Sequence, residues 1–175
     1  MFGEHTIEPL LTQAQIETRI EELAQTISRD FQDRDLMVVG VLTGSFVFVA
    51  DLVRRIELPL AVDFLGLSSY GSGTESSGIV KITKDLSSPI EGKDVLIIED
   101  IIDTGLTMRY LLENLSTRQP ASLRVCTLLH KPSKTQMPVQ IDYVGFSIED
   151  KFVIGYGLDL AERYRNLPYI GHIVS

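Results

Sequence analysis

Cysteine and histidine are scarce in this chain, and that scarcity removes several chemistries at once. The one cysteine, Cys126, cannot form an internal disulfide. It sits in the apolar run Val125 to Leu129, where a buried, inert thiol is expected rather than a nucleophile. The three histidines, His5, His130 and His172, have no zinc-type spacing with Cys126 or with one another. No apolar run approaches the roughly 18 residues that a membrane helix needs. The segment MFGEHTIEPLL has no basic stretch followed by an apolar one, so no signal peptide is read there and the expected location is the cytoplasm. Asn114-Leu115-Ser116 matches a glycosylation acceptor, which is empty without secretion. Basic residues are outnumbered, 16 Lys and Arg against 24 Asp and Glu, for a formal net charge of −8. That balance argues against a general binder of nucleic acid or of anionic membrane. An anionic substrate would need local basic groups or a metal to compensate. There is no internal repeat, low-complexity tail or linker, so the 175 residues read as one domain with ordinary soluble composition.

What is present centres on Val95 to Thr107, VLIIEDIIDTGLT. Val95-Leu96-Ile97-Ile98 is short, apolar and rich in β-branched residues, and predicts a central strand buried on both faces. The strand is expected to stop at two adjacent carboxylates, Glu99 and Asp100. A third, Asp103, follows two apolar residues later, and Leu106 to Leu115 predicts a helix. The acids and the small residues Thr104, Gly105 and Thr107 thus lie where a parallel strand hands over to a helix. In open α/β sheets ligands bind there. Asp103-Thr104-Gly105-Leu106-Thr107 offers successive N–H groups at a helix N-terminus, a ready anion site. The carboxylates cannot hold phosphate, but they can hold sugar hydroxyls or a divalent cation. The pattern asks for a ligand with phosphate at one end and polyol plus metal at the other, and a ribose 5-phosphate fits.

Elsewhere the chain alternates strand and helix. Thr12 to Gln15 fits a capping box, and Ile16, Ile20, Leu23 and Ile27 recur at helical spacing to about Arg29. Leu36 to Leu42 predicts the first core strand. Thr43-Gly44-Ser45 then repeats the strand, small turn and helix logic, with a helix over Phe46 to Ile56. Leu60 to Leu67 is another strand. Ser68 to Gly78, rich in glycine and serine, predicts a flexible loop leading to a strand at Ile79 to Thr83. Leu123 to Leu129 and Tyr143 to Ile148 are further strands, and Tyr169 to Val174 a short final one.

VLIIEDIIDTGLT resembles the phosphoribosyl-diphosphate (PRPP) signature of type I phosphoribosyltransferases, and its Glu-Asp-Ile-Ile-Asp-Thr-Gly form resembles the hypoxanthine-guanine branch in particular. The resemblance runs from about Leu36 to Arg165. It implies an α/β fold, a mostly parallel sheet flanked by helices (core about 31–140), with a small hood from the chain ends (about 1–30 and 141–175). It implies that Asp103, Thr104, Gly105, Leu106 and Thr107 hold the 5′-phosphate, that Glu99 and Asp100 meet the ribose and Mg²⁺, and that Asp103 is the general acid/base at N7 of the purine. LTGSFVFVADL resembles the pyrophosphate loop, with Thr43, Gly44 and Ser45 as its turn and a non-proline cis peptide expected at Leu42–Thr43. Many relatives carry lysine where this chain has Thr43, so the backbone N–H groups of Gly44 and Ser45 would have to suffice. Ser69 and Tyr70 match the serine-tyrosine pair of a mobile lid. Lys131 matches a lysine that donates to the purine O6. In KFVIGYGLD, Phe152 would stack on the base, the Val153 backbone would meet its edge, and Asp159 would hold a second Mg²⁺ through water. Arg165 matches a pyrophosphate arginine.

The implied reaction joins hypoxanthine or guanine to PRPP, releasing pyrophosphate and giving IMP or GMP, with Mg²⁺ as cofactor. A homo-oligomer, dimer or tetramer, is the expected state, with no nucleic-acid or membrane partner. Two alternatives stay open on the residues alone. One is a uracil- or adenine-type transferase, against which only Lys131 and the Lys151–Asp159 segment argue. The other is a regulator that kept the fold and binds PRPP as a signal.

Overall fold

The computed structural model describes residues 5–69 and 80–174. In chain order its elements are β1 (Ile7–Leu11), α1 (Gln13–Asp30), β2 (Leu36–Leu42), α2 (Phe46–Val53), β3 (Leu60–Ser69), β4 (Val80–Lys84), β5 (Asp94–Ile102), α3 (Leu106–Ser116), β6 (Ser122–His130), β7 (Tyr143–Ser147), β8 (Val153–Ile154) and β9 (Ile170–Ile173), with one 3-10 turn at Pro132–Lys134. Two sheets result. The larger has the order β4-β3-β2-β5-β6-β7, and the smaller the order β1-β9-β8. Every pairing in the larger sheet is parallel except that of β3 with β4.

The central strands are apolar because both of their faces are covered. On one side α1 lays down Ile16, Ile20, Leu23, Ala24 and Ile27 against Val38, Leu96, Ile98 and Leu128. On the other, Met108, Leu111 and Leu115 of α3 meet Val39, Val95, Ile97 and Val125. α1 starts at the expected capping box: Thr12 Oγ1 accepts from Gln15 N at 3.2 Å, and Gln15 Oε1 accepts from Thr12 N at 2.8 Å. Cys126 is fully buried in the first of these cores, and burial pushes its thiol pKa up, as an inert thiol requires. Among the described residues no helix is long and apolar enough to cross a membrane.

Three differences from the sequence expectations matter. The strand does not stop at Glu99; β5 runs through both acids to Ile102, because β6 continues to pair with it as far as Ile102↔His130. The second helix ends at Val53 rather than Ile56, since Arg55 N turns in to Leu52 O at 3.0 Å. The smaller sheet is built from residues 7–11, 153–154 and 170–173, whereas α1 and β7 pack with the larger sheet. The predicted strand at Ile79 to Thr83 is β4, from Val80 to Lys84, with Ile79 outside the described residues. Of the predicted loop, Ser68 and Ser69 finish β3, opposite Lys81 and Val80.

Candidate functional site

The site begins where β5 loses one neighbour. Its pairing with β2 ends at Gly40↔Ile98, while its pairing with β6 goes on. The strand's alternation slips at this point. Val95 and Ile97 face the α3 side and Leu96 and Ile98 the α1 side, yet Ile101 packs on the α1 side and Ile102 on the α3 side. Freed N–H groups are taken up by the acids themselves: Asp100 N donates to Glu99 Oε1 at 3.3 Å and Ile101 N to Asp100 Oδ1 at 2.7 Å. Both carboxyls are half-buried. Burial first, and then the Asp100 charge beside it, holds the Glu99 pKa well above the usual carboxylate range. Burial also raises that of Asp100, opposed in part by the Arg165 guanidinium.

A carboxyl whose pKa rises on folding contributes stability while protonated, below its ordinary range, and loses it as the pH climbs through the raised value. Stability without ligand is therefore expected to fall as the pH rises past the ordinary carboxylate range. Glu99→Gln with Asp100→Asn should flatten that slope and raise the ligand-free melting temperature, by about 2–4 °C for each kcal/mol of repulsion removed. The same variant should lose affinity for PRPP with Mg²⁺. Thermal melts against pH and titration calorimetry test both halves; an unchanged PRPP affinity would end the ribose and metal role of the pair.

The small-residue loop follows directly. Glu99, Asp103, Gly105 and Thr107 line one cavity of about 210 Å³, together with Ile101, Ile102 and Met108. Gly105 has φ 84° and stands at the N-terminus of α3, with no side-chain cap and no acid in the helix's first turn. The positive end of the helix is therefore open to an anion. A Cβ at Gly105 would fall 2.1 Å from Met137 O, so only glycine allows this approach. Thr104 O accepts from both Gln136 N and Met137 N at 3.0 Å, which ties the loop to the segment after Lys131. Asp103 is exposed, and its Oδ1 accepts from Thr104 N at 2.5 Å.

The second small-residue turn closes on the same place. The Leu42–Thr43 peptide is cis, as expected. Ser45 is fully buried and its hydroxyl donates to Val41 O at 2.6 Å, so its side chain is spent inside the fold. Gly44 is wedged: a Cβ there would lie 1.8 Å from Asp100 Oδ2. From the other side, a Cβ on Gly157 (φ 97°) would lie 2.1 Å from Gly44 O. Three distant segments thus meet at Gly44. Since the atom in the way is the end of a side chain, Gly44→Ala is expected to displace the Asp100 carboxylate rather than unfold the chain. Misplacing a ligand-positioning group by about 1 Å costs on the order of 10²-fold, so kcat/KM for PRPP should fall by about that factor while the melting temperature holds. Full activity would show that Asp100 does not need its present place.

The remaining residues come from the chain's last third. Backbone turns at Gly155–Leu158 and Leu160–Arg163, with left-handed Tyr156, Ala161, Glu162 and Tyr164, bring Arg165 back beside Gly157. Arg165 Nη1 donates to Gly157 O at 2.8 Å, and Nη2 lies 3.2 Å from Asp159 Oδ1 and 3.6 Å from Glu162 Oε2. Asp159 also accepts from Glu162 N at 2.8 Å. Tyr156 donates its hydroxyl to Asp51 of α2, fastening this segment to the larger sheet's helix layer. Val153 is buried in β8 opposite His172, but Phe152 is 57% exposed. Its side chain therefore stands largely outside the core. Lys131 is the reverse, buried at the end of β6, with N bonded to Ile102 O at 3.0 Å and Nζ 3.4 Å from Asp150 Oδ1.

So Gly44, Asp100, Gly157 and Arg165 converge, and Glu99 shares a cavity with Asp103, Gly105 and Thr107. Asp159 is engaged by Arg165 and does not join the acid pair. Ser69 is described only as backbone in β3, and Tyr70, the other half of the expected lid, lies outside the described residues. Asp150, the partner of Lys131, was not singled out by sequence; only its place two residues before Phe152 hinted at it. Among the described residues no three Asp, Glu, His or Cys side chains form a metal cage. Mg²⁺ does not require one: it keeps several waters and takes one or two carboxylates together with substrate phosphates. The hard oxygen pair Glu99 and Asp100, costly to ionise side by side, suits that ion.

Comparison with known proteins identifies the family and the fold. Residues 7–161 match the phosphoribosyl transferase domain family. The chain is 51% identical to the hypoxanthine phosphoribosyltransferase of Salmonella typhimurium over 172 residues, 97% of either protein. It is 54% identical to the hypoxanthine-guanine phosphoribosyltransferase of Mycobacterium avium over 168 residues, 93% of this chain and 83% of that one. The crystal structure of a Staphylococcus aureus hypoxanthine phosphoribosyltransferase superposes with a TM-score of 0.92 at 49% identity, over 95% of this chain and 91% of that chain. With the family model covering most of its length and close relatives matching nearly end to end, the chain belongs to the phosphoribosyltransferase family.

Proposed function

We propose that this protein is a purine salvage enzyme that transfers the 5-phosphoribosyl group of PRPP to hypoxanthine and guanine, giving IMP or GMP and pyrophosphate. The observation that carries the proposal is the single cavity lined by Glu99 and by the loop at the α3 N-terminus. It brings a half-buried carboxylate, suited to sugar hydroxyls, into one lining with a helix N-terminus suited to an anion, which supports a sugar phosphate as ligand. In this reading the 5′-phosphate sits in the loop of residues 103–107 at the α3 N-terminus, and the ribose hydroxyls take Glu99 and Asp100. Pyrophosphate lies toward Thr43, Gly44, Ser45 and Arg165. The purine lies on Phe152, with its edge at the Val153 backbone and its O6 at Lys131.

In the reaction N9 of the base bonds to C1′ as the C1′–O bond to pyrophosphate breaks. The electron pair leaves with pyrophosphate, and Asp103 removes the N7 proton. Mg²⁺ held at Glu99 and Asp100, with a second ion held through water at Asp159, would neutralise the charge developing on pyrophosphate. The protein is proposed to work in the cytoplasm as a homo-oligomer.

Turnover of PRPP with hypoxanthine, guanine, adenine and uracil, each with Mg²⁺, tests the assignment through pyrophosphate release. Release with the two 6-oxopurines is expected. Tight PRPP binding without turnover of any base would instead favour a PRPP-sensing regulator.

A further inference from the structure

We infer that Asp150 is a positioning residue for the purine, acting through Lys131. The inference rests on the reading of Lys131 as the group that meets O6. The Lys131 side chain is only 10% exposed, and a buried ammonium needs a counter-ion. Its Nζ lies 3.4 Å from Asp150 Oδ1, and the other oxygen, Oδ2, lies 3.6 Å from Lys134 Nζ.

The two lysines belong to one tight turn, in which Lys134 N donates to Lys131 O at 3.1 Å. Asp150 belongs to a different segment, between β7 and β8, two residues before the exposed ring of Phe152. One carboxylate therefore joins the piece of chain that carries the O6 donor to the piece that carries the ring platform. An ammonium has three N–H donors. With one of them directed at Asp150, the other two point in fixed directions, and the gap between donor and platform is set before a base arrives. Lys134 is the exposed half of the bridge, 43% accessible against 10%, so its ion pair with Asp150 is screened by water and contributes little.

The role predicts a split in the kinetics. Asp150→Asn should raise KM for hypoxanthine by about tenfold, the usual size of a coupling between charged neighbours, while KM for PRPP and kcat stay within about twofold. Asp150→Glu, which keeps the charge, should recover most of the loss, and Lys134→Met, which leaves the Lys131 pair intact, should stay near the parent. In a Lys131→Gln background Asp150→Asn should have little further effect. An equal effect of Asp150→Asn in both backgrounds would show that it acts on the fold and not through Lys131, and would overturn the proposal. A fall in KM would do the same, by showing that Asp150 competes with the base. Lys131→Gln alone reports separately on the underlying reading: if hypoxanthine KM does not move in that single variant, Lys131 does not read the base, and the fault lies there.

Discussion

Asp103→Asn is expected to lower kcat by about 10²–10⁴, the range for losing a general acid/base, with PRPP affinity within a few-fold of the parent. The geometry makes this substitution a clean one. Asp103 Oδ1 accepts from Thr104 N at 2.5 Å, so one carboxylate oxygen is spent on holding its own loop. An asparagine carbonyl can accept the same hydrogen bond, and the phosphate loop should keep its shape. What asparagine cannot do is take a proton. The exposed side chain stands in the wall of the cavity that also holds Glu99 and the α3 N-terminus, so the lost basicity falls beside the substrate. Steady-state kinetics with hypoxanthine and calorimetric titration of PRPP separate the two effects. An unaltered kcat would remove Asp103 from the mechanism, and a lost PRPP affinity would make it a binding residue.

The parts of this architecture set by local chemistry were legible in the sequence. Thr12 and Gln15 announced the start of α1, and the apolar run Leu36 to Leu42 marked β2 to the residue. The two strand-to-helix turns with Gly44 and Gly105 pointed to the site because small residues at a helix N-terminus have few other uses. The course of β5 through Glu99 and Asp100 was not legible. Acids weigh against strand, and only the continued pairing to β6 overrides that preference. Nor could the coil from Gly155 to Arg165 be read, since Tyr156, Ala161, Glu162 and Tyr164 take left-handed backbone without glycine to announce it. Gly44 was visible as a glycine, but what presses on it, Asp100 and Gly157, comes from segments far away in the chain. The contact between Lys131 and Asp150 spans 19 residues and depends on how β7 and β8 are joined, which no local pattern encodes.

That contact bears on the largest selectivity expected of the protein, its rejection of adenine. A lysine ammonium donates hydrogen bonds and accepts none. Hypoxanthine and guanine offer an acceptor at O6, and the resulting bond is charge-assisted. Adenine offers an amino donor at the same position, so donor would face donor around a charge already withdrawn from water. The structure sharpens this, because Lys131 is buried and anchored by Asp150 and cannot simply swing out to solvent. Sites built around one hydrogen bond reject a mismatched analogue by roughly 10⁴–10⁵-fold. Adenine should therefore be a negligible substrate by that margin in kcat/KM. Lys131→Gln, whose amide presents either an acceptor or a donor, should lose efficiency with hypoxanthine and narrow the gap to adenine. The measurement is kcat/KM for hypoxanthine, guanine and adenine in the parent and the variant. Efficient adenine use by the parent, or an unchanged hypoxanthine value in the variant, would end the case for Lys131 as the group that reads the base.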